Sequence, residues 1–340
     1  MNELCNNGEP MRWVFFFTTI IFTTTVFAND CVKNRAVIEI GNYNTKFFQA
    51  VLNVCKNKIN RVLLQKSTVL NFRENLENKR PLAFKKDILQ KAESKIKETI
   101  KELKGKPDVI ILANNLFKET TNGNEFLRKL KDGPSTKIIF VSTKTKAVLN
   151  FISAYTILGD SPSKYLVWDI GASGMNLTAF EKGVYHSHND NLSSITFKNM
   201  VLNAIKKKTH LKKNSPNPLK EEGVRSSIEL IRLYTRFELK KEFLELAKNR
   251  LLIGIGGPHT KTLKKLISNN KNFYSKEEIK IAIDRYSNKS DSDINTPSPD
   301  MQVTNLIMIY GQMLELRKEN LLTINTNIIN ASILYPSFWE

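Results

Sequence analysis

The chain has 340 residues, of which 41% are hydrophobic, and contains three Trp, nine Tyr and nineteen Phe. This composition excludes an intrinsically disordered chain and a membrane protein with many spans, and the length predicts two domains. With 52 Lys and Arg against 33 Asp and Glu, the net charge of +19 indicates anionic partners such as polyphosphate, nucleotides, nucleic acid or an acidic membrane surface.

The N-terminal segment is the only long apolar stretch of the sequence. It covers residues 13–28, which is short for a membrane-spanning helix, and it follows a basic residue, Arg12. Small residues at its end are typical of a signal-peptidase site, so residues 1–28 are predicted to be a signal peptide and the protein to be periplasmic or secreted. An uncleaved membrane anchor is the alternative, and translation could start at Met1 or at Met11.

Cleavage after residue 28 would leave two of the three cysteines, one on each side of the first predicted hairpin. Residues 36–40 and 46–54 are predicted to be strands around a turn. If Tyr43 is the centre of that turn, facing residues have numbers that sum to 86, and Cys31 and Cys55 are such a pair. Opposed antiparallel positions suit a disulfide, which an oxidising periplasm would let form. The alternative is two free thiols at a strand edge.

The rest of the chain is predicted to mix strands and helices. In the first half, strands at residues 60–70, 108–113 and 137–142 accompany helices at residues 84–103, 125–130 and 144–158. In the second half, strands are predicted at residues 165–171, 175–181, 184–187 and 251–256, and helices at residues 195–208, 220–247, 260–267, 275–286 and 301–316. Residues 206–227 and 288–299 are polar and contain Pro and Ser, which is typical of loops.

One local pattern occurs twice. An acidic residue, Ile and Gly end the first strand of two predicted meanders, starting at Glu39 and at Asp169, 130 residues apart. Two such copies indicate a duplicated fold. We therefore predict an α/β protein with two similar domains, residues 29–144 and 145–340. Each would carry a mixed sheet with an antiparallel meander and flanking helices, and the two would face a central cleft.

The turn that follows Asp169 is a candidate phosphate site. Its backbone N–H groups at Gly171, Ala172 and Ser173 could cradle phosphate oxygens while the carboxylate holds a hydrated Mg²⁺. A tight hairpin in which the Asp caps its own turn is the alternative. The paired copy at Glu39 favours the phosphate interpretation, because two facing turns can hold one anion.

Five sequence blocks then occur in a characteristic order. They are residues 39–45 (Glu-Ile-Gly-Asn-Tyr-Asn-Thr), 113–123 (Ala-Asn-Asn-Leu-Phe-Lys-Glu-Thr-Thr-Asn-Gly), 142–147 (Ser-Thr-Lys-Thr-Lys-Ala), 169–176 (Asp-Ile-Gly-Ala-Ser-Gly-Met-Asn) and 254–258 (Gly-Ile-Gly-Gly-Pro). Together, over residues 36–333, they resemble the exopolyphosphatase/guanosine-pentaphosphate phosphatase family, which has the actin-like ATPase (ribonuclease H-like) fold.

The resemblance implies hydrolysis of a terminal phosphate from polyphosphate or a guanosine penta- or tetraphosphate. It also implies that Asp169 and Glu39 hold Mg²⁺. The phosphate-binding positions carried over from the family motifs are Gly41, Asn42, Lys118, Gly171, Ala172, Ser173, Gly256 and Gly257. The last two belong to a third glycine turn, which could instead be a simple strand-to-helix connection.

The departures from the family pattern fall on its acidic residues. Lys146 replaces the Glu that resembles a water-activating base, and Asn176 replaces a second Glu. Glu39 stands where the family has Asp, and Lys118 keeps the charge of an Arg but loses its two-pronged hydrogen bonding. Loss of a general base typically slows a reaction by about 10²–10⁴-fold, so slow or absent hydrolysis is a serious alternative.

Two hypotheses follow from these patterns. The first is an exported exopolyphosphatase-like protein that binds polyphosphate or a similar phosphoanhydride in the cleft, without reading nucleic acid and without a membrane partner once the signal is removed. The second is a catalytically degenerate polyanion-binding or scaffold protein on the same fold. An actin-like ATPase or sugar kinase is disfavoured because the second block resembles the phosphatases. A homodimer is compatible with both hypotheses.

Overall fold

The computed structural model of this protein describes residues 31–340, apart from residues 78–79, 132–135, 172–173, 210–213 and 269. The predicted signal peptide therefore lies outside the described residues, and so do Ala172 and Ser173. Among the helices that are described, none is long and apolar enough to cross a bilayer.

Two sheets with the same strand arrangement form the framework. The first contains β1 (Val32–Ile40), β2 (Asn44–Asn53), β3 (Lys58–Val69), β4 (Asp108–Asn114) and β5 (Thr136–Val141), in the order β3-β2-β1-β4-β5. Its first three strands form an antiparallel meander, while β4 and β5 run parallel to β1.

The second sheet contains β6 (Tyr165–Ile170), β7 (Met175–Glu181), β8 (Val184–Asp190), β9 (Leu251–Ile255), β10 (Phe273–Ser275) and β11 (Asn320–Thr323). Their order is β10-β11-β9-β6-β7-β8. Here β6, β7 and β8 form the meander, and β9 and β11 are the parallel strands. Apart from the added edge strand β10, the second sheet repeats the first, so the predicted duplicated α/β fold is confirmed.

Twelve α-helices accompany the sheets within the described residues. They are α1 (Lys86–Lys101), α2 (Leu116–Glu119), α3 (Gly123–Lys129), α4 (Thr143–Leu158), α5 (Ser194–Ala204), α6 (Lys220–Glu238), α7 (Lys241–Ala247), α8 (Leu263–Leu266), α9 (Lys276–Tyr286), α10 (Asp291–Ile294), α11 (Pro299–Glu315) and α12 (Ile328–Ser332). The predicted helix at residues 220–247 is in fact two helices, because Leu239 and Lys240 have extended backbone. Both predicted loops contain helix, since α6 begins at Lys220 and α10 lies within the second loop.

Helix α4 lies between the two sheets. Its Leu149 packs with the first sheet, in a cluster that includes Val37 of β1. Its Phe151 and Ala154 pack with the second sheet, beside Val167 of β6. Because strand side chains alternate between faces, the opposite face of each sheet is left for other helices, which are α1 and α3 on the first sheet and mainly α5, α6, α9 and α11 on the second.

The end of the chain returns to the first sheet. Helix α12 packs in the same cluster as Val37. The Ser153 hydroxyl of α4 accepts a hydrogen bond from the Ala331 N–H at 2.9 Å. The Arg35 guanidinium of β1 lies 4.5 Å from the centre of the Trp339 ring. The last residues therefore pack on the first sheet, although the predicted boundary assigns them to the second domain.

The first hairpin has a register that differs by one residue from the predicted one. Strand β1 pairs with β2 so that facing numbers sum to 85, with Ile40 opposite Thr45. The predicted centre at Tyr43 is therefore wrong, because four residues rather than an odd number form the turn. Cys31 still bonds to Cys55, with their Cα atoms 5.3 Å apart. The bond reaches one position past the ladder, where the Val54 N–H donates to the Cys31 carbonyl oxygen at 2.8 Å.

Candidate functional site

The two hairpin turns have the same backbone closure. In the β1–β2 turn, the Gly41 N–H donates to the Asn44 carbonyl oxygen at 3.1 Å. In the β6–β7 turn, the Gly171 N–H donates to the Gly174 carbonyl oxygen at 2.9 Å. Each glycine lies two residues after an acidic residue, Glu39 or Asp169, at the end of a central strand. The duplicated sheets therefore present two equivalent carboxylates, one from each half of the chain.

The residue directly across the ladder from each carboxylate is different. Lys46 faces Glu39 in the first hairpin, and its Nζ lies 2.8 Å from Glu39 Oε2. The Glu39 side chain is only 12% exposed, whereas Lys46 is 31% exposed, so the ammonium group is the more accessible partner. Asn176 faces Asp169 in the second hairpin, and its Nδ2 lies 3.5 Å from Asp169 Oδ2, which is a long contact.

Helix α4 supplies the closest partner of Asp169. The Asn150 Nδ2 donates to Asp169 Oδ2 at 2.7 Å. Lys146 lies one helical turn before Asn150 and therefore on the same face of the helix. The helix begins where the Ser142 hydroxyl caps it by accepting from the Thr145 N–H at 3.0 Å. Since α4 packs against both sheets, its first turns are held between them.

The electrostatics of Asp169 show which charges surround it. Burial raises the pKa of Asp169, and the Lys146 and Lys46 ammonium groups oppose this shift, while the negative charge of Glu39 adds to it. Protein atoms enclose this carboxylate closely, although part of the residue keeps access to solvent. We call Glu39, Lys46, Lys146 and Asp169 the carboxylate–lysine cluster. It joins both hairpins and α4 in one site.

The third glycine turn touches the second carboxylate. Gly256 has a φ of +90°, and a Cβ at this position would lie 2.2 Å from the Ile170 carbonyl oxygen and 2.9 Å from Asp169 Oδ1. Only glycine allows this approach. A Cβ on Gly257, by contrast, would meet nothing within 4 Å. The two glycines therefore differ, one packed against Asp169 and the other in open space.

A buried histidine follows these glycines. Residues Pro258–Thr262 form a π-helical turn, and the helix predicted at residues 260–267 continues from it as α8 (Leu263–Leu266). His259 is fully buried, its Nδ1 lies 2.8 Å from the Ile255 carbonyl oxygen, and its ring centre lies 4.5 Å from that of Trp168. Burial lowers the pKa of His259 to about 4, so it is neutral at pH 7 and packs as an apolar group.

Two predicted phosphate-binding side chains have other partners. Asn42 Oδ1 accepts a hydrogen bond from Asn114 Nδ2 at 2.8 Å, which ties the first hairpin turn to the end of β4. Lys118 is exposed on α2, and its Nζ lies 4.5 Å from the centre of the Phe140 ring. The structure thus brings together Glu39, Asp169, Lys146, Asn176 and the three glycine turns, but it holds Lys118 against β5.

Two residues of the site escaped sequence analysis. Lys46 faces Glu39 only in the observed register, and the predicted register placed Phe47 there instead. Asn150 contacts Asp169 from a different element, and its only sequence signal is its position four residues after Lys146. Both residues can be identified only when the strand register and the packing position of α4 are known.

The donors at this site do not fit a resident magnesium ion. Mg²⁺ takes a nearly octahedral shell of oxygen atoms, of which a protein usually supplies those of one or two carboxylates, with water and phosphates supplying the rest. One oxygen of Glu39 already contacts the Lys46 ammonium, and Asp169 Oδ2 accepts from amide groups. Nowhere in the described part of the chain do three or more Asp, Glu, His or Cys side chains come together in a way that could hold a metal ion.

Comparisons with known proteins identify the fold. No protein-family profile matches the chain, and no curated protein sequence matches it. The structure is similar to that of the Ppx/GppA family member from Aquifex aeolicus, with a TM-score of 0.70 and 14% identity over 90% of this chain and 98% of that chain. It is also similar to an exopolyphosphatase from Cytophaga hutchinsonii, with a TM-score of 0.63 and 11% identity over 90% of this chain and 98% of that one.

A third solved structure, an exopolyphosphatase-like protein, gives a TM-score of 0.64 and 14% identity over 89% of this chain and 97% of that chain. At such identities the similarity establishes the fold and not the chemistry. The chain has the two-sheet, actin-like ATPase fold of the Ppx/GppA exopolyphosphatases, as the order of its sequence blocks predicts.

Proposed function

We propose that this protein binds polyphosphate or a similar phosphoanhydride polyanion in the cleft between its two hairpins. The observation that carries the proposal is the pair of ammonium groups, Lys46 and Lys146, in the same cluster as the turn after Asp169. Ammonium groups are good partners for phosphate oxygens. The surplus of basic residues in the whole chain would attract such a ligand.

We further propose that hydrolysis is slow or absent. Lys146 stands at the position where the family pattern has a Glu that resembles a general base, and a lysine offers no carboxylate to take a proton from water. Asn176, at the second Glu position, is neutral and buried. Removing a general base typically costs about 10²–10⁴-fold in rate. The protein would then act as a polyanion-binding protein on a phosphatase fold.

One observation favours hydrolysis as the second candidate. Asp169 is a carboxylate whose pKa is raised by burial, and a raised pKa makes a carboxylate a better general base near neutral pH. In this alternative Asp169 takes over the role that the residue at position 146 has lost. The two candidates differ in whether phosphate is released from the bound polyanion.

Export of the protein is part of the same proposal. The apolar segment at residues 13–28 resembles a signal peptide, and the disulfide between Cys31 and Cys55 begins three residues later. Disulfides persist in oxidising compartments. Outside the cytoplasm a guanosine alarmone is a poor candidate ligand, so inorganic polyphosphate is the better one.

The test measures binding and phosphate release with the full-length protein, purified from a host that exports it. We expect long-chain polyphosphate to bind in a salt-sensitive way, with phosphate release close to background. Lys146→Met should weaken binding about tenfold, since it removes one charge-assisted contact. Lys144→Met is the matched control, because this exposed lysine lies two residues earlier in the same helical turn and on another face.

Three results would count against these proposals. Absence of polyphosphate binding at any salt concentration would refute the binding function. If Lys146→Met and Lys144→Met weaken binding equally, the cleft is not the binding site. Rapid phosphate release that is lost in Asp169→Asn would show that the protein is a hydrolase that uses Asp169.

A further inference from the structure

We propose that the ammonium groups of Lys46 and Lys146 take the place of a divalent cation in this cleft, so that the polyanion binds without metal. The inference rests on the proposed function, because it concerns how the same site holds its ligand. Each ammonium would bridge a protein carboxylate on one side and a phosphate oxygen on the other.

The first step is the contact between Lys46 and Glu39. An ammonium group has three hydrogen-bond donors and no acceptor. One donor of Lys46 is directed to Glu39 Oε2 at 2.8 Å, and the side chain remains 31% exposed. Its other donors are therefore available to a ligand that enters the cleft. A metal ion bound at Glu39 Oε2 would have to displace this ammonium group.

The second step is the position of Lys146. It lies on the same face of α4 as Asn150, whose amide is 2.7 Å from Asp169, and its positive charge acts to lower the pKa of that carboxyl group. The first turn of α4 contains Lys144 and Lys146 and no acidic residue. Positive side chains at the N-terminus of a helix are unfavourable, because the helix dipole is positive there. A bound anion would relieve this arrangement.

The third step is the charge of the cluster as a whole. Glu39 and Asp169 carry two negative charges when ionised, and Lys46 and Lys146 carry two positive charges. A polyphosphate therefore meets a cluster of zero net charge rather than two bare carboxylates that would repel it. A divalent cation entering the same cluster would find no net attraction either, and Glu39 Oε2 already has the Lys46 ammonium as its partner.

The first experiment uses Mn²⁺ alone and then inorganic tripolyphosphate, both with the full-length protein. Electron paramagnetic resonance should detect no stoichiometric Mn²⁺ binding by the wild type. Calorimetric titration with tripolyphosphate should give affinities in EDTA and in Mg²⁺ that differ by less than about twofold. Titration of tripolyphosphate with Mg²⁺ without protein is the control for the effect of Mg²⁺ on the ligand itself.

The second experiment rebuilds a metal site. The double variant Lys46→Met/Lys146→Glu removes both ammonium groups and adds a carboxylate beside Asp169. We expect it to gain Mn²⁺ binding and to bind tripolyphosphate at least about tenfold more tightly with Mg²⁺ than with EDTA. Lys66→Met/Lys144→Glu makes the same charge change at exposed positions and should gain neither property. Thermal unfolding of each variant verifies that it is folded.

The outcomes separate this inference from the proposed function. Tripolyphosphate binding by the wild type only in the presence of Mg²⁺, or Mn²⁺ binding that Asp169→Asn abolishes, would overturn the inference and leave the binding function intact. Failure to bind with or without Mg²⁺ would overturn the proposed function itself. Equal affinity in EDTA and Mg²⁺, lost in the double variant until Mg²⁺ is added, would support both.

Discussion

The two hairpins of this protein have the same backbone arrangement, but their carboxylates have different neighbours. In the first hairpin, Glu39 is balanced by an ammonium group, Lys46, directly across the ladder. In the second, Asp169 receives neutral amide donors, and burial raises its pKa. The difference comes from the facing position, which holds Lys in one copy and Asn in the other, and from Asn150 of α4, the closest partner of Asp169. A duplicated fold thus provides two equivalent positions whose electrostatics are set by their neighbours.

The two hairpins are also secured differently. The strands of the first are joined at their far ends by the disulfide between Cys31 and Cys55, and its turn is tied to β4 through Asn42. The second hairpin has no disulfide among the described residues. It is instead pressed against the third glycine turn, where Gly256 approaches the backbone of Ile170. Three predictions test this comparison, from the largest effect to the smallest.

The largest effect is expected from Gly256→Ala. The new Cβ would collide with the Ile170 carbonyl oxygen, and the φ of +90° would be strained for any L-residue. We expect a loss of about 4 kcal/mol in the free energy of unfolding, measured by urea denaturation. Gly183→Ala is the matched control, since Gly183 has a φ of +81° but a Cβ there would meet nothing within 4 Å.

The control should lose only about 1 kcal/mol, which is the cost of the backbone conformation alone. Equal losses in Gly256→Ala and Gly183→Ala would show that the close approach to the second hairpin is not important for stability.

The next effect concerns the first hairpin. The double variant Cys31→Ser/Cys55→Ser removes the cross-link between residues 24 apart in sequence. A loop of this size predicts a loss of about 3 kcal/mol under non-reducing conditions, because the unfolded chain gains conformational freedom. Urea denaturation of the wild type with a reductant should give a similar loss. Unchanged stability in both measurements would show that the bond does not secure this hairpin.

The smallest effects come from neutralising each carboxylate. A carboxyl group whose pKa is higher in the folded than in the unfolded state destabilises the protein as the pH rises above the ordinary value, here 3.8 for Asp169. Asp169→Asn should therefore be more stable than the wild type near neutral pH. Glu39→Gln should be less stable by about 1 kcal/mol, since it removes the partner of Lys46.

Urea denaturation over a series of pH values tests the two variants together. The advantage of Asp169→Asn should grow as the pH rises from 3.8 through the raised pKa of Asp169 and then stay constant. A change of the same sign in both variants would show that the two carboxylates are electrostatically alike.

Much of the fold could be predicted from the sequence. Runs of Val, Ile and Phe that end at glycine turns predicted both meanders, and the recurrence of the acidic-Ile-Gly pattern predicted the duplication. Asp169, Gly171 and Lys146 were identified as site residues because the order of the motifs placed them in one cleft. These signals lie in the sequence itself and do not depend on tertiary contacts.

Other features depended on tertiary contacts. Strand β11 has only four residues, Asn320–Thr323, which is too short for a periodic pattern, and it exists because it pairs with β9. The long helix predicted after Lys220 ends at Glu238 without a Gly or Pro to break it. A short strand such as β11 and the end of a helix such as α6 are stabilised by packing, so the local sequence does not reveal them.

The sequence by itself determined which carboxylates and lysines the protein possesses and which half of the fold each belongs to. Only the tertiary structure decided their pairing. Lys46 meets Glu39 through a register that differs by one residue from the predicted one, and Asn150 reaches Asp169 because α4 packs between the sheets. The electrostatic character of a carboxylate depends on burial and on charges within a few ångströms, and such neighbours are brought together by folding rather than by sequence order.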